Sequence, residues 1–495
     1  YGRSGTFAAS RLNYIDFNTL GKVEVLKGPG SSLYGSDAMG GVVSLRSLDP
    51  DDILEEGENN TFEISSPYNS QNSSYQPSIK YAFKDENISG IFAGSYGKYG
   101  ELDRKTLSKY KQDVDGDINS YYAKFIKKAG NTDFNLIIES IDKDTTSKAL
   151  SYYLAETSLT SQKDVRESNR TRISFGFNYK ADEDKFIDNL SGQIYSNSME
   201  NKSDYGTVSA SSTANTLVTL NQDMLGGNLQ ASNNFQAGGA NQKLTYGLEI
   251  NTNDASRLRT AVGGTSPGSY KANPDSDILK MGLYVQDEIS LDKWDLIAGI
   301  RYDVNNIDAF ADDQWYASGS SYLTNRETAV GKPISKDYSN WSPSFAAIYN
   351  IRDNLNFYGK YARGFRAPSW EDLNSSHISI SQYNAYTTVG NPNLKEETSN
   401  NYEIGLKGRN NKSDFGFSGF YNDYTNFLDK SNKTGNKVTY AVTDPSRTLA
   451  ALTRGGSTVS ATEYQTRNVF DVKIWGLEAD YKYHFSERNK GLSFT

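Results

Sequence analysis

Two histidines, His377 and His484, and no cysteine occur among the 495 residues of the chain. An imidazole nitrogen can bind a metal ion or transfer a proton near neutral pH. The absence of cysteine excludes disulfides, thiolate zinc sites, iron–sulfur clusters and a cysteine nucleophile. The H-E-x-x-H string of zinc peptidases does not occur. Because two histidines leave little room for histidine-based catalysis, we expect no enzymatic activity.

The net charge and the fraction of apolar residues limit the classes of protein to which the chain can belong. The chain has 52 Lys and Arg against 60 Asp and Glu, a net charge of −8, which argues against binding of nucleic acid through a basic surface. Only 36% of residues are hydrophobic, yet 13% are aromatic. No run of about 18 apolar residues exists, so the sequence predicts no membrane-spanning helix. A membrane β-barrel stays possible, because its strands need apolar residues only at every second position.

Alternating strands are the elements that must position the histidines. Apolar and polar residues alternate along residues 172–179, 244–251, 294–303 and 477–485. In the third of these segments Arg301 and Asp303 belong to the polar set. A period of two is typical of strands with one apolar and one polar face.

The connections between strands decide between a soluble sandwich and a barrel. Short turns alternate with long polar segments, so the long loops lie at one end of the molecule, as in outer-membrane barrels. A sandwich has no reason to sort its loops by length. We count about 17 strands and expect more after Thr495, because single-chain bacterial barrels have an even number. The long segments are residues 99–117, 143–167, 199–214, 255–278, 305–339, 364–400 and 425–469.

The first 50 residues differ from the rest. They are rich in glycine, which permits tight turns, and Val23–Leu26 and Val42–Leu45 read as short strands. No phosphate-loop pattern can be read there. The sequence therefore predicts a compact, turn-rich module ahead of the barrel.

The module contains a signature made of Gly28, Pro29, Tyr34, Gly35, Ser36, Gly40 and Gly41. In this signature it resembles the plug domain of TonB-dependent outer-membrane receptors. The resemblance implies an all-β fold: a transmembrane antiparallel barrel of about 22 strands, with a plug in its lumen. We assign residues 1–52 to the C-terminal part of the plug and 53–495 to the barrel. Lys27 stands where the family usually has Arg, which keeps the charge but loses the planar fork.

Two further motifs flank a polar segment that contains His377. The first comprises Phe365, Arg366, Ala367 and Pro368, and the second comprises Asn391, Pro392, Asn393 and Leu394. They resemble the FRAP and NPNL boxes of the haem and haemoglobin (haemophore) receptors of this family, and the segment between them is the outer loop where those receptors carry a haem-ligating histidine. Residues 42–50, which connect the plug to the barrel, also resemble the haem and lactoferrin/transferrin branch.

The resemblance implies that His377 is an axial ligand of haem iron, since imidazole binds that iron well; an ordinary solvated histidine is the alternative. No histidine occurs in residues 6–16, so the second ligand stays open. It lies upstream of Tyr1, is a tyrosinate from Tyr14, Tyr383 or Tyr386, or is not needed. His484 precedes a short turn, far from the outer loops.

The boxes also have structural interpretations. Pro368 ends a strand while Arg366 pairs locally or with a haem propionate, and residues 391–393 form a turn. The long loops 305–339 and 425–469 are rich in Tyr, Ser, Gly and Asn, a composition suited to protein recognition. We expect that deletion of residues 430–465 abolishes binding of a carrier protein and spares free haem.

The implied function is import of haem through the bacterial outer membrane, with haem as the transported ligand and no catalytic cofactor or other metal. The expected partners are TonB, which would act through a segment before Tyr1, a haem-carrying protein (haemoglobin or a haemophore) and outer-membrane lipid. We expect a monomer. A ferric-siderophore receptor, in which His377 is incidental, is the alternative, and a barrel serving only as an adhesin or phage receptor is a third possibility.

Overall fold

A computed structural model of the chain describes residues 15–100, 112–149, 159–182, 187–209, 213–263, 268–317, 330–380, 385–441, 458–485 and 493–494. Three short helices occur in this part of the chain: α1 Ser31–Tyr34, α2 Asp313–Ala317 and α3 Trp370–Asn374. Single 3-10 turns lie at Phe17–Thr19 and Pro50–Asp52. Among the described residues, no helix is long and apolar enough to cross a membrane.

Nearly all other described elements are strands. They are β1 Leu20–Lys27, β2 Gly41–Ser47, β3 Asn60–Ser65, β4 Tyr68–Asn69, β5 Ser74–Tyr75, β6 Ser78–Lys84, β7 Ile88–Gly100, β8 Gln112–Ala129, β9 Thr132–Ala149, β10 Leu159–Lys180, β11 Asn189–Ser209, β12 Thr213–Ala237, β13 Ala240–Gly263, β14 Gly268–Tyr270, β15 Asp275–Leu291, β16 Trp294–Phe310, β17 Lys336–Arg352, β18 Leu355–Arg366, β19 His377–Ile380, β20 Ala385–Val389, β21 Glu397–Arg409, β22 Ser413–Ala441, β23 Thr458–His484 and β24 Ser493–Phe494.

The wall of the barrel is an antiparallel ladder in which strands pair with their neighbours in chain order. Side chains alternate across it, as the period of two predicts. Ile194, Leu225 and Leu283 are each more than 60% exposed on the outside, a surface that suits lipid hydrocarbon. Arg301 and Asp303, in contrast, are buried on the inner face.

The strands are longer than the sequence pattern predicts. The segment 425–469 is expected to be a loop, but β22 continues to Ala441 and β23 begins at Thr458. The two strands hydrogen-bond to each other above the rest of the wall, where Val438 lies opposite Ala461. Polar residues occur on both faces of this part of the sheet, so the sequence lacks the alternation of apolar and polar residues that predicts a strand. We call this extension, residues 430–441 and 458–467, the β22–β23 arm.

The short turns lie at the opposite end of the barrel. There, Nε2 of His484 lies 3.0 Å from a carboxylate oxygen of Asp414, and its amide donates to the carbonyl of Lys412. His484 is therefore far along β23 from the β22–β23 arm.

The N-terminal module lies inside the barrel. Strands β1 and β2 form an antiparallel ribbon, with Val25 opposite Val43, which confirms the two short strands expected there. Helix α1 contacts the inner wall at β16, β17 and β18. The described plug residues thus contact the inner wall, and the all-β prediction of a barrel with an internal plug is confirmed.

Candidate functional site

The FRAP box lies where β18 leaves the wall. The strand ends at Arg366, and Pro368 follows two residues later. Nε of Arg366 lies 3.2 Å from Glu397, and a terminal nitrogen lies 3.5 Å from Asp372. Both carboxylates are almost fully buried, so Arg366 offsets charges that would be costly alone. The structure therefore shows Arg366 paired with carboxylates close to it, which is the structural one of its two interpretations.

Helix α3 begins directly after the box. The Ser369 hydroxyl caps it by accepting a hydrogen bond from the amide of Asp372, and the Asp372 carboxylate accepts one from the amide of Ser369. Nζ of Lys430, from the arm, lies 2.8 Å from the same carboxylate. Burial acts to raise the pKa of Asp372, but Lys430 and Ser369 hold that pKa below its usual value. The loop after the FRAP box is therefore tied to the arm by a charged pair.

The NPNL box forms a turn, as predicted. The side-chain oxygen of Asn391 accepts from the amide of Asn393, and its Nδ2 donates to the carbonyl of Thr466 on β23 at 2.8 Å. Nζ of Lys336 donates to the carbonyls of Pro392 and Leu394. Asn391 is buried, so water cannot satisfy the backbone groups beside it. Its side chain supplies their hydrogen-bond partners instead.

Apolar residues of the two boxes share one buried core. Phe365 and Ala367 from the first box and Leu394 from the second are at most 5% exposed. They pack with side chains from α3 and from the upper ends of several wall strands. The cluster comprises Ala255, Ile278, Ile307, Tyr338, Phe365, Ala367, Trp370, Leu373, Leu394 and Leu428.

His377 begins the hairpin that lies between the boxes. In this hairpin His377 of β19 pairs with Thr388 of β20, and Ile378 pairs with Thr387. The ring of Tyr386 lies 5.8 Å from that of His377, centroid to centroid. Tyr464, on β23, makes an edge contact with Tyr386 at 6.0 Å. The structure thus brings His377 and Tyr386 together and adds Tyr464, which the sequence patterns do not single out.

The hairpin is held by the β22–β23 arm. Strand β20 pairs in parallel with β23, so that Tyr386 is aligned with Thr462 and Thr388 with Tyr464. The alternate residues of this outer sheet are buried in a second apolar core, which Trp315 of α2 completes. That core comprises Trp315, Val330, Ile378, Ala385, Tyr440, Val459 and Ala461.

This arrangement changes one expectation from the sequence. Deletion of residues 430–465 removes Tyr440, Val459 and Ala461 from the core beneath the hairpin. It also removes the strand segment that pairs with Tyr386. The deletion therefore disturbs the hairpin that contains His377 as well as the arm, because the arm pairs with β20 and contributes to the core beneath it.

The plug signature contacts the FRAP box directly. The amide of Asp37 donates to the carbonyl of Phe365 at 3.2 Å, and the amide of Ala367 donates to the hydroxyl of Ser36 at 3.2 Å. The amide of Phe365 lies 3.4 Å from the hydroxyl of Ser31. The plug is thus joined to the FRAP box by one backbone–backbone hydrogen bond and by two hydrogen bonds from FRAP-box amides to serine hydroxyls of the plug.

Glycines in the signature permit this close packing. Gly28 and Gly35 have φ of +82° and +73°, a region that side chains disfavour. A Cβ on Gly35 would lie 2.8 Å from the Asp303 carboxylate, and one on Gly30 would lie 2.8 Å from Val42. Elsewhere in the signature Pro29 is buried, Tyr34 is half exposed, and Gly40 and Gly41 lead into β2.

Two ties between plug and wall are not evident from sequence motifs. Arg301 donates to the carbonyl of Leu33 in α1 at 3.0 Å, while Asp303 and Glu249 accept from its other nitrogens at 2.8 Å. Alternation places Arg301 on the polar face of its strand but does not identify the plug as its partner.

The second tie is the carboxylate of Asp16, which is 2% exposed. It accepts from the hydroxyl of Ser95 at 2.5 Å and from the amide of Gln76 at 2.9 Å. Nζ of Lys27 lies 3.5 Å from the Glu478 carboxylate in an exposed contact. Tyr14 and Tyr383, two of the candidate ligands, lie outside the described residues.

Comparisons with known proteins agree with this geometry. The family model described as "TonB dependent receptor-like, beta-barrel" matches residues 106–495, and "TonB-dependent Receptor Plug Domain" matches residues 2–42. The chain is 25% identical over 502 residues to the "Hemin receptor" of Yersinia enterocolitica, covering 97% of the chain and 64% of that relative. The chain therefore spans less than two thirds of that relative's length.

Two solved structures share the fold. The Serratia marcescens hemophore receptor HasR, in complex with its hemophore HasA and heme, superimposes with a TM-score of 0.68 at 17% identity, covering 95% of this chain and 68% of HasR. The siderophore receptor PirA of Acinetobacter baumannii gives a TM-score of 0.65 at 16% identity, covering 96% of this chain and 66% of PirA. At these identities the likeness concerns the fold alone.

Proposed function

This chain belongs to the TonB-dependent receptor family, and we propose that it imports haem across the bacterial outer membrane. The observation that carries the proposal is the proximity of the His377 and Tyr386 rings, 5.8 Å apart, on a hairpin that lies between the FRAP and NPNL boxes. Imidazole and phenolate are both axial ligands of haem iron. Two curated proteins of Yersinia to which the chain is similar carry the name "Hemin receptor", and these names support the same cargo.

The proposed route begins with haem, free or on a carrier protein such as haemoglobin or a haemophore, at the outer sheet. His377 takes the iron as an axial ligand through an imidazole nitrogen, and the phenolate oxygen of Tyr386 is a candidate for the second ligand. TonB then rearranges the plug, which we assign to residues 1–52, within the barrel of residues 53–495. The bonds from Ser36 and Asp37 to the FRAP box give the plug a direct connection to the loop that carries His377.

Import of a ferric siderophore is the second candidate. Siderophore receptors such as PirA superimpose on the chain almost as well as HasR does. In that case His377 would be an ordinary surface residue, and the cargo would be an iron chelate without a porphyrin. The barrel and plug geometry serves both cargoes equally.

A growth assay distinguishes the two. The full-length receptor is expressed in a bacterial strain that lacks its own haem and siderophore receptors and is starved of iron. The proposal predicts growth on haemin as sole iron source, growth that requires TonB, and no growth on ferric siderophores. Growth on a ferric siderophore but not on haemin would contradict the haem assignment. Growth independent of TonB would contradict transport by this route.

A further inference from the structure

The outer sheet has one buried face and one open face, and His377 lies on the open one. Ile378, Ala385 and Thr387 alternate with His377, Tyr386 and Thr388, and the first three are buried. On β23 the same alternation buries Val459 and Ala461 while Ser460 is exposed.

The strand register continues the open face onto the other strand of the arm. Residues directly opposite each other in a ladder project to the same side of a sheet. Lys433 of β22 lies opposite Tyr464, and Lys437 lies opposite Thr462. A bulge that contains Gly435, with φ +86°, accommodates the extra residues between the two lysines.

Two rows of residues therefore cross the open face in register. One row runs from His377 through Thr388 and Tyr464 to Lys433, and the other runs from Tyr386 through Thr462 to Lys437. Neighbouring strands lie about 4.8 Å apart, so His377 and Lys433 are separated by about 14 Å of sheet. Thr462 and Tyr464 are two residues apart, which spaces the lysines by about 7 Å.

Both lysines are exposed. Within the described part of the chain, neither has a carboxylate partner at ion-pair distance. Glu463 lies between Thr462 and Tyr464 in the chain, so it belongs to the other face of the sheet. It accepts a hydrogen bond from the side chain of Asn436 at 3.1 Å. The open face thus offers a histidine at one side, tyrosine rings in the middle and two cations at the other side.

We propose that Lys433 and Lys437 bind the two propionate carboxylates of haem whose iron is held at His377. The proposal rests on the proposed haem function and extends it to recognition of the porphyrin edge. Haem combines a ligand-accepting iron, a flat apolar ring and two carboxylates on one edge, which matches the order of groups along the two rows. The separation of His377 from the lysines corresponds to half a porphyrin plus a propionate and an extended lysine side chain.

The test compares haemin with its dimethyl ester, in which both carboxylates are neutral. Each ligand is titrated into the purified full-length receptor, and affinity is read from the Soret band. The variants are K433Q/K437Q and, as a matched control, K332Q, which removes another exposed lysine of the outer loops. Two exposed ion pairs account for about a tenfold change in affinity.

The expected result is that K433Q/K437Q weakens haemin binding about tenfold, leaves the ester unchanged and does not move the Soret maximum. K332Q should behave as wild type. Equal haemin affinity in wild type and the double variant, or equal weakening of both ligands, would overturn the carboxylate assignment while haem binding stands. A wild-type receptor that binds neither ligand would instead overturn the proposed function.

Discussion

The hydroxyl oxygen of Ser36 in the plug accepts a 3.2 Å hydrogen bond from the backbone amide of Ala367 in the FRAP box. The neighbouring residue Asp37 donates its amide to the carbonyl of Phe365. Two sequence motifs that lie more than 300 residues apart are thus in direct contact. A plug that moves must break these bonds, and the loop that leads to His377 then loses its inner support.

Arg301 should hold the plug in place. The Arg301→Met variant loses the bond to the Leu33 carbonyl and leaves the buried Asp303 carboxylate without its cation. Removing one partner of a buried pair costs about 3–5 kcal/mol. We expect faster amide hydrogen exchange in β1 and β2 of the plug. Arg352→Met, at an exposed short turn, is the control, and unchanged plug exchange in Arg301→Met would contradict this role.

Asn391 should stabilise the turn that connects strand β20 of the hairpin to strand β21 of the wall. The Asn391→Ala variant leaves the carbonyl of Thr466 and the amide of Asn393 without their partner. Each unsatisfied buried group costs about 1–3 kcal/mol. We expect weaker haemin binding at an unchanged Soret maximum, together with faster hydrogen exchange across residues 385–394. Asn393→Ala, with an exposed side chain, should change neither measurement; equal effects of the two variants would disprove the assignment.

Trp315 should support the hairpin from below. Its side chain is 1% exposed in the core that contains Ile378 and Ala385. Truncation of a buried tryptophan costs about 3–5 kcal/mol, so Trp315→Ala should raise hydrogen exchange in β19 and β20. Tyr316→Ala removes the adjacent, half-exposed ring and serves as the control. Retained protection of β19 and β20 in Trp315→Ala would show that the core does not hold the hairpin.

Deletion of residues 430–465 should abolish capture of free haemin as well as of a haem carrier. The deletion removes the strand that pairs with β20 and part of the core beneath it. Haemin titration and carrier pull-down on the same purified variant measure both effects. Retention of wild-type haemin affinity after the deletion would show that the hairpin folds without the arm.

Local patterns predict the strands and the motif positions well. Alternation along residues 294–303 places Arg301 on the inner face, and β18 ends at Arg366, two residues before Pro368, close to the strand end that the proline predicts. The two valine-rich segments of the plug form the expected ribbon. These features depend on residues close together in the chain, so the sequence contains enough information to predict them.

Pairings between distant residues are not predictable in this way. The parallel register of Tyr386 with Thr462 joins segments about 75 residues apart, and nothing in either segment specifies the other. The contact of Arg301 with Leu33 spans 268 residues. The length of β22 is likewise not predictable from the sequence, because polar residues on both faces of the arm remove the alternation that identifies membrane strands.

The central claim is that His377 binds haem iron, and a haemin titration of wild type and His377→Ala tests it most directly. The account predicts a defined Soret band in wild type that is lost or shifted in His377→Ala. His484→Gln, at the distant short turn, should retain the wild-type spectrum, because its ring lies beside Asp414 rather than in the outer sheet. An identical Soret band and affinity in wild type and His377→Ala would contradict the claim.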